Sequence, residues 1–246
     1  MSTTPAPHST ASTLPPARVL EGAARDRALL TYLMLAAVFV ACLVTCNLVF
    51  RKFFVFEGWG LSFEQSVGLL AYPLTFLVTD IISEIFGPRK ANLVVLSGLL
   101  ASVVTLAIVS VAGQTSAAAW SPVTDGEFAH VFGQTAVAVG ASMAAYLLAQ
   151  FIDDRFFHFW KRQTQGKRLW LRNNLSTIPS QVLDTLTVLL LLCAVGELPW
   201  ERLGVLFLNG VVFKSLVAAL DTPLVYLGVG WMRRVFQLEP GQEIEL

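Results

Sequence analysis

Residues 73–87 read Pro73-Leu-Thr-Phe-Leu-Val-Thr-Asp80-Ile-Ile-Ser-Glu84-Ile-Phe-Gly87. Two carboxylates stand in a stretch that is otherwise apolar or small, and a further apolar run opens at Leu93. Charge inside a membrane-length segment is costly. It is therefore rare, faces the protein interior, and usually marks a substrate or ion pathway. Asp80 and Glu84 are four residues apart, so both lie on one helix face. Pro73 is seven residues before Asp80, roughly on the same face, and a proline within a span frees a backbone carbonyl and permits a bend or break beside a cavity. Asp80 is the deeper of the two acids and is expected to matter more. Glu84 lies near the span's end, where simple contact with headgroups would also account for it.

The rest of the chain fits a membrane setting. Of its 246 residues, 55% are hydrophobic and 14% charged, too apolar and too poor in charge for an ordinary soluble domain. The apolar residues fall into runs of about 20, the length of a helix that crosses a bilayer. Six such runs are expected, at 29–50, 66–86, 92–112, 130–152, 177–196 and 203–231. The predicted fold class is therefore all-α, a polytopic membrane protein built as a bundle of six transmembrane helices. The Ser/Thr/Ala/Pro-rich segment 1–28 lacks apolar periodicity and is expected to be a disordered tail. The six-helix transmembrane domain proper would then be 29–232, followed by a short tail, 233–246. The first apolar run is of full span length and leads into further spans, so it reads as retained and not as a cleaved signal.

Lysine and arginine place the ends. Short loops rich in these residues stay in the cytoplasm. With the N-terminus inside, 13 of the 17 basic residues fall on inside segments. Arg51, Lys52 and Arg202 fall outside, and Lys214 sits within a span. Both termini are thus expected in the cytoplasm, in an inner-type membrane. Cys42, Cys46 and Cys193 all lie in spans and read as small packing residues. Neither a disulfide nor a metal site is expected, and His8, His130 and His158 are too scattered to act as ligands.

The remaining polar residues of the spans make the candidate site. Asn173, Thr177, Ser180, Gln181 and Asp184 recur at spacings of three and four, forming a polar stripe on an otherwise apolar helix. Such a stripe also serves to join helices. Gln181 and Asp184 together offer amide donors and a carboxylate acceptor, which suits a polar heterocycle. Lys214 and Asp221 are seven apart on one face, about 10 Å along the axis, and so too far apart to pair directly. Lys214 is expected to meet Asp80 or Asp184, and Pro223 should bend its helix. Four acids, Asp80, Glu84, Asp184 and Asp221, face one base, so the site is expected to be wet, partly neutralised, or suited to a cation or a donor-rich ligand. Asn47, Tyr72, Phe76 and Arg172 complete the set, the aromatics as flat faces. Pro73 with Asp80 and Pro179 with Asp184 stand at matching places in two halves of opposite orientation, which would put the two aspartates on opposite walls of one site.

Other classes fit less well. No Gly-x-Gly-Asp, His-Glu-x-x-His or Gly-x-Ser-x-Gly motif is present, and no phosphate-cradling glycine loop. The chain is not expected to be an enzyme or to power itself by nucleotide hydrolysis, and no cofactor is expected. A binding subunit that depends on a separate energising partner and a membrane enzyme using the buried aspartates are the alternatives.

Several separated motifs resemble one family. The segment Pro73-Leu-Thr-Phe…Thr-Asp80-Ile-Ile-Ser-Glu84-Ile-Phe-Gly87-Pro-Arg89 is similar to the first signature of the queuosine precursor transporters, also called vitamin uptake transporters. Gln150-Phe-Ile-Asp153, then Leu169-Trp-Leu-Arg172-Asn173 through Gln181 and Asp184, and finally Lys214…Asp221-Thr-Pro223, follow in the family's order. The resemblance covers about 30–232. It implies six helices and uptake of 7-deazaguanine precursors of queuosine, a modified tRNA nucleoside, across the bacterial inner membrane. The expected partners are that small base and the lipid bilayer, with no nucleic acid bound; a homodimer is admitted but not required. The segment with Glu57 and Glu64 departs from the pattern and carries no expectation. A deazaguanine presents a ring N–H beside an exocyclic amine, which one carboxylate accepts together, while an amide meets the carbonyl edge.

Overall fold

The computed structural model describes residues 15–58, 61–133, 135–137, 139–145, 148–149, 152 and 169–246. These are mostly helical. Helix α1 spans Gly22–Val49, a 3-10 turn at Val67–Ala71 leads into α2 (Tyr72–Phe86), and α3 spans Pro88–Gln114. Helix α4 (Asp125–Phe132) follows, then α5 (Leu169–Ala194) and α6 (Trp200–Phe236). Four helical stretches are long and apolar enough to cross a membrane: Gly22–Val49, Val67–Phe86, Pro88–Gln114 and Asp125–Ala145. A shorter apolar stretch, Gln181–Ala194, lies within α5. Leu29, Leu33 and Met34 on α1, and Leu96, Leu100 and Ile108 on α3, are exposed. Such long apolar rows facing outward suit lipid, not water. The protein is a polytopic, all-α membrane protein.

The structure adds strands that the apolar runs did not announce. Strands β2 (Phe53–Gly58) and β3 (Leu61–Ser66) form an antiparallel hairpin, with Phe53 opposite Ser66 and Gly58 opposite Leu61. Its Phe- and Val-rich sequence suits a pleated surface. At the chain ends, β1 (Arg18–Val19) pairs in parallel with β4 (Ile244–Glu245). The expected free tail 1–28 is thus structured from β1 onward, and α1 starts seven residues before the predicted 29. At the other end, α6 continues past 232 to Phe236, and the segment after it is pinned, with Ile244 fully buried. Both corrections have one cause: the ends find partners in each other, which a composition argument cannot register.

This terminal clasp sits on the α2–α3 junction. Gly87 joins the two helices at φ +85, a conformation that glycine adopts without penalty. Its open α-carbon faces the Glu243 carboxylate, which a side chain there would strike. Pro88 opens α3 in the first turn, where its missing N–H costs nothing. Pro73 behaves likewise. It stands in the first turn of α2, just after the 3-10 turn, so it marks a junction between helix types and not a break inside one.

The core lies where α1, α2, α3 and α6 meet, around Ile82, Ile85, Val94, Phe39 and Met232. A second cluster joins Leu189, Leu192 and Cys193 of α5 to Leu206 of α6. Helices α2 and α6 run in the same direction. Tyr72 meets Lys214, Ile81 closes on Gly228, and Glu84 pairs with Arg233, in that order along both. Because β1 precedes α1 and β4 follows α6, their pairing holds both ends of the described chain on one side. Reporters fused ahead of β1 and after Leu246 are expected to report the same compartment; opposite compartments would mean that the strand pair does not form.

Candidate functional site

A cavity of about 170 Å³ opens between α1, the hairpin, α2, α5 and α6. It is roughly tenfold the space that one water needs. Its walls are largely apolar, with Phe39, Leu43 and Phe50 from α1 and its end, Val95 and Leu99 from α3, and Val188 and Leu189 from α5. Apolar walls with a few placed polar groups are the usual make-up of a small-molecule site.

The polar groups converge at one end. Lys214 Nζ donates to Asp184 Oδ2 at 2.6 Å. The two side chains are 9% and 17% exposed, so this pair is nearly enclosed. The same ammonium stands 4.6 Å from the centre of the Tyr72 ring, a cation–π contact. Tyr72 Oη lies 3.3 Å from both Asp184 Oδ2 and Gln181 Oε1. These distances are long for a hydroxyl donor, which usually approaches to about 2.7–2.8 Å, so the contacts have room to tighten. Phe76 packs edge-on against Tyr72 with ring centres 4.6 Å apart, fixing the ring's plane. Oδ2 thus receives both polar neighbours, and Asp184 Oδ1 has no hydrogen-bond donor among the described residues.

A buried ion pair is weak evidence for stability, because desolvation of both charges offsets their attraction. Its enclosure in a cavity wall points to use. Helix spacing explains the local assembly. Gln181, Asp184, Thr185 and Val188 share one face of α5, and Thr185 Oγ1 donates back to the Gln181 carbonyl.

Of the predicted residues, Asn47, Tyr72, Asp184 and Lys214 line the cavity. Gln181 and Phe76 adjoin it through Tyr72. Lys214 pairs with Asp184, not with Asp80. The side chains of Arg172 and Asn173 lie outside the described residues. Asp80, Glu84 and Asp221 are placed elsewhere. Asp80 is eight residues along α2 from Tyr72, about 12 Å. Asp221 is buried on α6, with Oδ2 lacking a hydrogen-bond partner among the described residues. Glu84 takes up Arg233. The expected excess of acids therefore does not gather in one site: one acid and one base share the cavity, and the others are spread along the α2–α6 seam. Among the described residues, Asp80 does not line this cavity with Asp184.

Glu84 is half-exposed and its pair with Arg233 is worth at most about 1 kcal/mol by analogy with exposed pairs. Glu84→Gln is accordingly expected to leave the concentration dependence of uptake unchanged and to lower thermal stability slightly. A large loss of substrate affinity in that variant would place Glu84 in the binding site after all.

The hairpin contributes residues that the sequence reading passed over. Gln65 is buried; its Nε2 donates to the Leu206 carbonyl at 2.7 Å and its Oε1 accepts from the Ser66 amide. Ser66 Oγ donates to the Phe50 carbonyl at 2.5 Å. The hairpin is held in place by Arg202–Glu64 at 2.8 Å and by Asn209 Nδ2 donating to the Glu64 carbonyl. Arg51 pairs with Glu197 at 3.3 Å, which gives a local role to one of the basic residues that broke the charge asymmetry. The polar triplet Glu64-Gln65-Ser66, directly before an apolar run, was the available signal. The three cysteines are free, and Cys46 lines the cavity.

A polytopic helical protein with a mostly apolar cavity, open on one side, and a part-buried acid–base cluster in its wall has the form of a small-molecule carrier. Residues 66–228 match the family described as "Putative vitamin uptake transporter", and the chain belongs to it. It is a transporter, not an enzyme. A protein of Bacillus subtilis (strain 168) described as "Probable queuosine precursor transporter" is 26% identical over 171 residues, 69% of this chain and 73% of that protein. No solved structure matches. The matched span begins at Ser66 and includes Tyr72, Gln181, Asp184 and Lys214, so the whole polar cluster falls within it.

Proposed function

We propose that this chain imports 7-deazaguanine precursors of queuosine across a bacterial inner membrane, through six spanning helices and with both termini in the cytoplasm. The observation that carries the reading is the Asp184 cluster. Asp184 Oδ1 is an acceptor without a donor among the described residues, set in the wall of a cavity of about 170 Å³. A deazaguanine's ring N–H and exocyclic amine would meet it, and the Gln181 amide would meet the carbonyl edge. A site whose groups are matched in this way rejects analogues that leave them unpaired, by about 10⁴-fold in favourable cases.

The six-span map is supported by the clasp of the two ends, which calls for an even number of crossings, and by the shared direction of α2 and α6. Asp80 and Asp221, on the seam between these helices, would serve the pathway and not the base. Asn173 remains a candidate from the polar stripe and the family resemblance, and Arg172 from the resemblance.

Uptake of labelled 7-deazaguanine by cells that cannot make it tests the reading. Cells expressing the chain should accumulate label, and cells with an empty vector should not. Equal accumulation would remove the proposal. Repeating the assay with purified protein in liposomes separates a self-sufficient carrier from a subunit that needs an energising partner.

A further inference from the structure

A second cavity, of about 240 Å³, lies beside the first. Arg51, Leu192 of α5 and Glu197 of the turn before α6 help to line it. The two cavities share two lining residues, Phe50 and Phe53. Their rings meet edge to face with centres 6.1 Å apart, so this ring pair stands as the partition between the two spaces. Phe50 caps the end of α1 and Phe53 opens β2. The second cavity is therefore at the end of the bundle away from the terminal clasp, since α1 begins and α6 ends beside that clasp. The two ends of the bundle differ. On the clasp side of the larger cavity, Ile82, Ile85 and Met232 fill the interior. Toward the other end, two aromatic rings separate the larger cavity from the smaller.

The walls of the second cavity are tied, and its partition is not. Arg51 pairs with Glu197 at 3.3 Å and donates to the His130 carbonyl, which joins the end of α1 to the α5–α6 turn and to α4. The main chain around the rings is held as well. Ser66 Oγ donates to the Phe50 carbonyl at 2.5 Å, and the Val67 amide donates to the Lys52 carbonyl at 2.7 Å. The phenyl rings have no hydrogen-bonding groups of their own. A side chain turns between staggered rotamers without a shift of the main chain, and a single edge-to-face contact is a weak restraint. We propose that the smaller cavity is the antechamber of the larger and that Phe50 and Phe53 are the gate between them. A planar heterocyclic base enters from the end opposite the clasp and turns these rings aside, their faces stacking on it as it passes. The inference rests on the reading that the larger cavity takes such a base.

Cys46 is a built-in reporter of this gate. It lines the larger cavity, one helical turn before Phe50. With Cys42→Ala and Cys193→Ala it is the sole cysteine of the chain. Membrane vesicles of both orientations are treated with a charged, membrane-impermeant methanethiosulfonate, and the rate of Cys46 modification is followed. A tag after Leu246 marks the clasp side. Phe50→Ala removes one ring and keeps the main-chain contact with Ser66. From the side opposite the clasp it should raise the rate by about tenfold or more, the factor expected where the wild-type gate is open for about 10% of the time or less. From the clasp side the rate should not change. Leu99→Ala enlarges the larger cavity elsewhere in its wall and should leave both rates unchanged. A wild-type rate equal to that of Phe50→Ala, a rise matched by Leu99→Ala, or a rise from the clasp side overturns the gate. Should Phe50→Ala fail to insert, Phe53→Ala opens the same partition from β2 and is judged by the same outcomes. The modification needs no transport. Gated labelling in a protein that takes up no 7-deazaguanine overturns the transport reading and leaves the gate, whereas uptake with ungated labelling does the reverse.

Discussion

Asp184→Asn is expected to abolish uptake of labelled 7-deazaguanine. The substitution keeps the shape of the side chain and removes its charge. Two things follow from the geometry. The acceptor proposed for the base's adjacent donors becomes an amide, which presents one oxygen and two hydrogens where two oxygens stood. Lys214, 9% exposed, loses its counter-ion in an enclosed site, and breaking such a pair by removing one partner costs about 3–5 kcal/mol. The second effect alone would reduce the folded population, so loss of uptake in the single variant does not separate binding from folding. The double variant Asp184→Asn/Lys214→Met does. It removes both charges and leaves no orphan, so its thermal stability in detergent should recover toward that of the wild type. Uptake should not recover, because the carboxylate is still missing. Wild-type uptake by either variant would take Asp184 out of the binding site.

The sequence made some of this legible and concealed the rest, for identifiable reasons. The apolar runs anticipated α1, α2, α3, α5 and α6 because bilayer length imposes a strong, local signal. The stripe on α5 gave Gln181 and Asp184 together because helical spacing is also local. Whether Lys214 would meet Asp80 or Asp184 could not be read from spacing, since it depends on which helix packs opposite. Which acids share the cavity could not be read from spacing for the same reason. Depth in the membrane ranks them, but the cavity wall sorts them, and Asp80 and Asp221 sit along a helix seam instead. The hairpin was missed because no repeat of apolar length marks it, and its decisive residue, Gln65, lies between a surface ion pair and an apolar run. The terminal clasp was missed because Arg18–Val19 and Ile244–Glu245 each have two residues; neither has a pattern until it is paired with the other, more than two hundred positions away.

Gly68→Ala is expected to be the most damaging single-methyl change near the cavity. Gly68 lies in the 3-10 turn before α2, and its amide donates to Ser66 Oγ at 3.1 Å. The requirement here is space, not backbone conformation. A β-carbon at Gly68 would stand 2.6 Å from the Cys46 carbonyl oxygen and 3.2 Å from the Phe50 α-carbon, both backbone atoms of α1 and its end. A side chain in the way can rotate; a helix backbone has to move as a unit. The added methyl must therefore push the turn away from α1, and overpacking of this kind costs about 1–3 kcal/mol. The displacement acts where function is placed. Ser66 sits two residues before Gly68 and holds the hairpin to Phe50, and Tyr72 lies four residues after it, carrying the ring over Lys214. Both stability and uptake should fall. Gly204→Ala is the matched control, because a β-carbon there meets nothing within 4 Å, and alanine favours a helix over glycine by up to about 1 kcal/mol. A Gly68→Ala protein as stable and as active as Gly204→Ala would mean that the turn does not rest on α1 as closely as described, and that the position of Tyr72 is fixed by something other than this contact.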